Sequence, residues 1–312
     1  MCIINVMVLS LTPRHFVTKM VENIERVDYR LNDYIKDSNE NNIHDIRTAT
    51  RRLDASFISL PKKIRRKTKI RKYVTTSKQL FKVNSQVRDC DIICEKLQKY
   101  SSEPIYTKLI GSLNRKRKTK LASARKIALS LRDLPVPRVR ENEIPAKQLE
   151  MRFNKVVLGL RQRIELDLPI VLTNVNKIEE LHELRKTCKK LRYLLELASH
   201  QNGINNKEIS AVITELEDIQ DILGSIHDSD TTIAYLKRVR HPIAMTQILH
   251  DEISERNKKY EDFIQFCKRS LSDARHNFLN QIVFLTRTKR ISTYLMRIIV
   301  YEYIKTHPMK LM

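Results

Sequence analysis

The chain has 312 residues, 41% of them hydrophobic, with only four glycines, nine prolines and no tryptophan. That scarcity of glycine argues against all-β and Rossmann-like folds, which need it at tight turns, and points to long helices joined by few loops. Fifty-nine Lys and Arg against 36 Asp and Glu leave a formal charge of +23, a self-repulsion that a polyanion relieves, so the composition directs attention to nucleic acid, an anionic membrane or a polyphosphate-like chain.

The chain opens with an apolar stretch, "MCIINVMVLSLT". It is too short to span a bilayer and lacks the basic start and cleavage site of a signal peptide, so residues 1–12 read as an N-terminal extension. Apolar periodicity then predicts helices over about 13–36, 40–60, 62–84 and 88–132, the last broken near "YSSEP" (Tyr100 to Pro104). "LPVPRVRENEIP", Leu134 to Pro145, has three prolines and no apolar period and reads as a linker. Helices follow over about 147–167, 177–200, 206–224 and 228–275, broken near His241-Pro242, and an apolar segment over about 280–305 reads as a capping helix. The five cysteines, Cys2, Cys90, Cys94, Cys188 and Cys267, are scattered without a C-x-x-C pair. They fit a reducing cytoplasm better than a disulfide framework or a zinc ribbon.

The two sets of helices repeat. At an offset of 138, Ile43-His44-x-Ile46-Arg47 falls on Leu181-His182-x-Leu184-Arg185, and Arg51-Arg52-Leu53 falls on Lys189-Lys190-Leu191. At 139, Val87-Arg88-Asp89-x-Asp91 falls on Ile226-His227-Asp228-x-Asp230. The expectation is an all-α chain of two pseudo-symmetric four-helix bundles from a tandem duplication, about 13–140 and 141–305.

Both histidine helices carry a basic seam beside the apolar arc. In the first, Ile43, Ile46, Thr50, Leu53 and Phe57 share the core arc, with His44, Arg47 and Arg51 within about 60° of one another beside it. In the second, Leu181, Leu184, Cys188, Leu191 and Leu195 form the arc, with His182, Arg185, Lys189 and Arg192 alongside. Arg52, Lys186 and Lys190 extend these rows. The next helix of the first copy places Ile70, Tyr73, Val74, Leu80 and Phe81 in the core and Lys67, Arg71, Lys78 and Lys82 on one flank. The matching positions of the second copy are Asn206, Ser210, Glu217 and Asp221, so the first copy is the more basic. A third basic cluster, Arg115 to Lys126, lies further on. A solvated helix face is the commonest fate of such a charge run. Here, however, the rows have almost no acidic partners at i,i+4, they occur twice, and each opens with histidine.

Rows of guanidinium and ammonium groups suit phosphate oxygens, which Arg meets as a fork and Lys as a point charge. The dipeptides His44-Asp45 and His227-Asp228 could hold a metal, but basic neighbours oppose a divalent cation. The pairs Asp89/Asp91 and Asp228/Asp230 read as caps of a helix starting there and as acceptors for Arg88, His227 or the basic rows. There is no Gly-rich phosphate loop, no G-x-S-x-G and no nucleophile beside an evident base. The expectation is therefore no catalytic residue, no metal and no cofactor.

Several stretches resemble the CHAD family, the conserved histidine α-helical domain. His44-Asp45-Ile46-Arg47-Thr48-Ala49-Thr50-Arg51-Arg52-Leu53-Asp54 is similar to its first motif, and Leu181 to Glu196 to its second. Arg88-Asp89-x-Asp91 and Leu223-Gly224-Ser225-Ile226-His227-Asp228 resemble its acidic turn. The resemblance runs over about 13–300. It implies one domain of two helical bundles flanking a basic cavity or tunnel. It also implies binding of inorganic polyphosphate, often in association with polyphosphate granules; with no catalytic group evident and the cysteines fitting a reducing cytoplasm, the expectation is a cytoplasmic, non-enzymatic binding module. The motif helices would supply His44, Arg47, Arg51, Arg52, His182, Arg185, Lys189, Lys190 and Arg192 to that basic surface, and Lys67, Arg71, Lys78, Arg88 and Lys186 are further candidate binding residues. Asp54 stands where the first motif has Arg, and Asn84-Ser85 replaces Leu-Gly before Arg88. No membrane partner is expected, and the oligomeric state stays open. The alternative is nonspecific nucleic-acid binding, which the charge permits but the lack of aromatic stacking platforms in the two rows disfavours for single strands.

Overall fold

The computed structural model describes residues 11–100, 103–199, 207–239 and 245–272. Among them it is all-helical: α1 (Pro13–Lys36), α2 (Glu40–Ser59), α3 (Lys62–Arg65), α4 (Thr68–Gln98), α5 (Pro104–Arg132), α6 (Ala146–Thr173), α7 (Ile178–Ala198), α8 (Lys207–Leu236) and α9 (Thr246–Ser272), with a 3-10 turn at Glu141–Glu143. No described helix is long and apolar enough to cross a membrane. Most of the apolar N-terminal stretch, His241-Pro242 and the expected helix over 280–305 lie outside the described residues.

Capping fixes the helix starts. Thr12 accepts the His15 N–H ahead of Pro13, and Asn39 accepts the Asn42 N–H at 2.9 Å. Two expected helix ends do not exist. α4 runs through residues 84–88 and α8 through 224–228 without a break. Asn84-Ser85 and Leu223-Gly224 carry turn chemistry in sequence, yet both pairs lie inside a helix. The buried Asn84 accepts the Tyr34 hydroxyl at 2.9 Å, and Ser85 donates back to the Phe81 carbonyl at 3.0 Å. The break expected near Tyr100 to Pro104 is present: α4 ends at Gln98 and Pro104 opens α5. α6 also continues past its expected end to Thr173, with Pro169 inside it.

The described chain forms two compact units: residues 11–156 with 231–253, and residues 157–230 with 254–272. In the first, α1 buries Phe16, Met20, Ile24, Val27, Leu31 and Tyr34 at helical spacing. They meet Ile43, Ile46 and Leu53 of α2 and Ile70, Tyr73 and Leu80 of α4 in one core. α4 and α5 pack as an antiparallel pair. Their joined ends close over Leu236, Met245 and Ile248. There Lys96 pairs with Glu252 at 3.1 Å, and the Tyr100 hydroxyl donates to Asp251 at 2.8 Å.

The second unit buries Ile164, Leu168 and Val171 of α6, Leu181, Leu184 and Leu191 of α7, Leu216, Ile219, Leu223 and Ile226 of α8, and Phe263 and Ile264 of α9. The buried Tyr260 hydroxyl donates to the Val171 carbonyl at 2.6 Å. Cys90, Cys94, Cys188 and Cys267 are free and buried. Burial pushes the Cys94 thiol up to about 11 and the Cys188 thiol up to about 12. They are therefore protonated and unreactive at neutral pH.

Tyr34 and Asn84 make the polar tie between α1 and α4, so Tyr34→Phe leaves a buried amide oxygen without its donor. The expected cost is about 1–3 kcal/mol, read as a lower urea midpoint with an unchanged slope.

Candidate functional site

In the first unit the basic row of α2 leans on α4. Ile43, Ile46, Thr50 and Leu53 are buried, Arg47, Arg51 and Arg52 are half-buried, and His44 is exposed. The Arg47 and Arg51 guanidinium carbons lie 5.5 and 4.8 Å from the ring centre of Phe81 of α4, a cation–π contact that holds two like charges side by side. The His44 Nε2 is 3.5 Å from the Thr48 hydroxyl. Partial desolvation of the ring, opposed by Asp45 and reinforced by Arg47, Arg51 and Arg88, holds the His44 pKa below the ordinary histidine value.

Other expected members of this row are engaged by carboxylates. Arg88 meets Glu40 at 3.7 Å, Lys67 meets Glu143 at 2.8 Å, and Lys78 pairs with Asp54 while sitting 5.7 Å from the Phe57 ring centre. Asp54, the residue at odds with the family motif, is therefore the partner of Lys78. Arg71 is exposed near the start of α4.

In the second unit the row of α7 leans on α8. His182, Arg185, Lys189 and Arg192 are half-buried, while Lys186 and Lys190 face solvent. The His182 and His227 rings meet at a 45° tilt with centroids 4.5 Å apart, and His182 Nε2 is 3.2 Å from the buried Asp230. Arg185 lies over the α8 backbone at Gly224, where an added Cβ would come within 3.6 Å of the guanidinium. An alanine there would sit in ordinary van der Waals contact with Arg185. Arg192 pairs with Glu217, has Glu196 at 3.7 Å, and lies 4.5 Å from the ring centre of the buried Tyr193. Lys186 pairs with Glu183 at 2.6 Å.

The acidic motifs do not cap helix starts. They lie inside α4 and α8, and their second carboxylates are buried against arginines of the next helix, Asp91 with Arg117 of α5 and Asp230 with Arg256 of α9 at 3.0 Å. Both arginines follow their aspartate by 26 residues, a recurrence present in the sequence and overlooked there. Asp45 is held by Arg30 at 3.1 Å and Asp228 by His227 at 3.4 Å. Among the described residues no cluster of three His, Cys, Asp or Glu could hold a metal.

An all-helical chain with two histidine-led basic helices, each leaning on a helix that carries a buried aspartate–arginine pair, is the class of protein these contacts define. The model of the CHAD domain matches residues 20–237, and the chain belongs to the CHAD family. The crystal structure of the CHAD domain from the plant Ricinus communis superposes with a TM-score of 0.54 over 94% of this chain and 92% of that chain, at 13% identity, a likeness of fold alone. No curated protein matches the chain.

Burial works to raise the Asp230 carboxyl, but the His182 hydrogen bond and the Arg256 charge outweigh it and hold its pKa below the ordinary value of 3.8. A lowered carboxylate contributes stability above that ordinary value and loses it as pH falls through the folded value. Asp230→Ala leaves the buried Arg256 uncompensated, with an expected cost of about 3–5 kcal/mol at neutral pH. Urea unfolding from pH 7 to pH 3 checks both consequences, since the variant also loses the acid sensitivity that Asp230 confers.

Proposed function

We propose that this protein binds inorganic polyphosphate through its histidine-led rows and does not transform it. The observation that carries this reading is the half-burial of Arg47, Arg51 and Arg52 on α2 and of Arg185, Lys189 and Arg192 on α7. Cations held partly out of water, on flanks where the local dielectric is low, attract anionic oxygens more strongly than freely solvated ones. Family membership supports the same ligand, as the motif resemblance implies.

The two rows contribute unequally in this reading. Glu196 and Glu217 both engage Arg192, and Asp230 engages His182. On α2, Phe81 supports Arg47 and Arg51 without cancelling charge. His44, Arg47, Arg51 and Arg52 form the stronger row, with Arg88 shared with Glu40, and His182, Arg185 and Lys189 the weaker, with Lys186 and Lys190 at its margin. A cytoplasmic protein associated with polyphosphate deposits, without a cofactor and without membrane contact, follows from this reading.

The test is a titration with labelled long-chain polyphosphate at near-physiological salt, with unlabelled polyphosphate, single-stranded DNA, duplex RNA and heparin as competitors at equal charge. Polyphosphate is expected to compete best. Reversal of Arg47 and Arg51 to Glu removes charge-assisted contacts of about 1.5–3 kcal/mol each, so the expected loss is about a hundredfold or more. Reversal of Arg185 and Lys189 costs less than that, but far more than reversal of Lys116 and Lys118. Equal losses at all three places, or competitors that perform alike, would sink the reading.

His44 supplies a second prediction. Phosphate favours the imidazolium, so binding raises the depressed His44 pKa and takes up a proton. Affinity is then expected to rise as pH falls from 8 to 6, and His44→Gln to flatten that rise, as measured by the same titration across pH.

A further inference from the structure

We infer that the outer face of α5 is a second anion-binding surface, separate from the histidine-led rows, and that it takes the phosphate backbone of duplex nucleic acid. α5 carries nine Lys and Arg and no Asp or Glu over 29 residues. It sits in the most basic part of the chain: residues 55–132 hold 22 Lys and Arg against four Asp and Glu, leaving +18. The corresponding stretch of the second copy, residues 193–270, holds nine against 13, leaving −4. The excess charge of the protein is thus concentrated in one segment.

The surface itself is specific in form. Lys108, Arg115, Lys116, Lys118, Arg125 and Lys126 are all exposed. Among the described residues none of these six meets a carboxylate, whereas Arg117, on the inner side, is taken by Asp91. Between the cations stand small residues, and the Thr119, Ser123 and Ser130 hydroxyls donate back to helix carbonyls at 3.1 Å. The face is therefore low between its charges, and a broad polyanion can approach closely. From Lys108 to Lys126 it runs about 27 Å along the helix axis, about eight base-pair steps of a duplex.

The nature of the face selects among polyanions. After the buried Tyr106, α5 has no aromatic residue on which an unpaired base could stack, which disfavours single strands. None of the exposed large apolar side chains lies on α5, so the face lacks the apolar wedge by which a surface helix enters a bilayer. The cations are spread over a wide convex arc, in contrast to the half-buried rows of α2 and α7, and so match the two backbones of a duplex better than one flexible chain. Contacts of this kind are to phosphates and carry no sequence preference.

The test uses the full chain and a labelled 24-base-pair DNA duplex of mixed sequence, followed by anisotropy over a salt series. The variant is Lys116→Ala, Lys118→Ala, Arg125→Ala and Lys126→Ala together, exposed positions where alanine keeps the helix. Duplex affinity is expected to fall about tenfold or more, and the slope of log K against log salt to flatten by about three to four. Labelled polyphosphate binding stays within about twofold of the parent, against the tenfold standard of a lost contact. Arg47→Glu with Arg51→Glu is expected to give the opposite pattern, losing polyphosphate and keeping most duplex affinity. If that row variant left polyphosphate binding intact, the polyphosphate reading would fail while this one stood. An unchanged duplex affinity and salt slope in the α5 variant overturns the inference. So does an equal loss of polyphosphate, which would make α5 part of that site. So does phosphatidylserine-vesicle binding lost in the α5 variant without any change toward the duplex, which would assign the face to membranes.

Discussion

A buried carboxylate facing an arginine across two helices is the contact on which each basic row rests. Asp91 joins α4 to α5 through Arg117, and Asp230 joins α8 to α9 through Arg256. A lone charge at either place would cost several kcal/mol, so each pair is maintained as a pair and fixes its two helices against one another. The neighbouring helix, α2 or α7, then lays its arginines along a surface whose position is already set. In the second unit the same carboxylate also reaches the histidine, because Asp230 accepts from both His182 and Arg256. In the first unit His44 turns instead to Thr48, and Arg88 holds the sequence counterpart of His227. One framework thus supports two different rows.

Much of this was legible in the sequence because helical periodicity is local. The buried arcs of α2 and α7 and the edges of α1 and α2 follow from spacing and capping alone, and so does the basic flank of each histidine helix. What escaped depends on tertiary placement. Asn84 and Gly224 look like turn residues in sequence, and only the fold shows that Asn84 accepts a tyrosine hydroxyl and that Arg185 packs beside Gly224. Phe81 reads as a core residue, and its period gives no sign that two guanidinium groups lie over its ring. The expected capping role of the acidic pairs failed for the same reason, since their partners lie 26 residues away on another helix.

The half-buried rows and the outer face of α5 also differ in how their charge is tolerated. Phe81 offers ring density beneath Arg47 and Arg51, and Tyr193 lies beneath Arg192, which Glu196 and Glu217 also engage. The cations on the outer face of α5 meet no carboxylate among the described residues, and solvent screening of such charges strengthens with salt. The two kinds of surface therefore respond differently to ionic strength within a single chain.

The carboxylates that engage Lys78, Lys67 and Arg88 give the first unit a further property. Asp54, Glu143 and Glu40 are tethered beside the cations they neutralise, so their effective concentration there is far above that of any dissolved anion. An incoming anion must exchange with them, and each displaced carboxylate waits within reach to return. The margins of the row therefore behave as a set of intramolecular competitors.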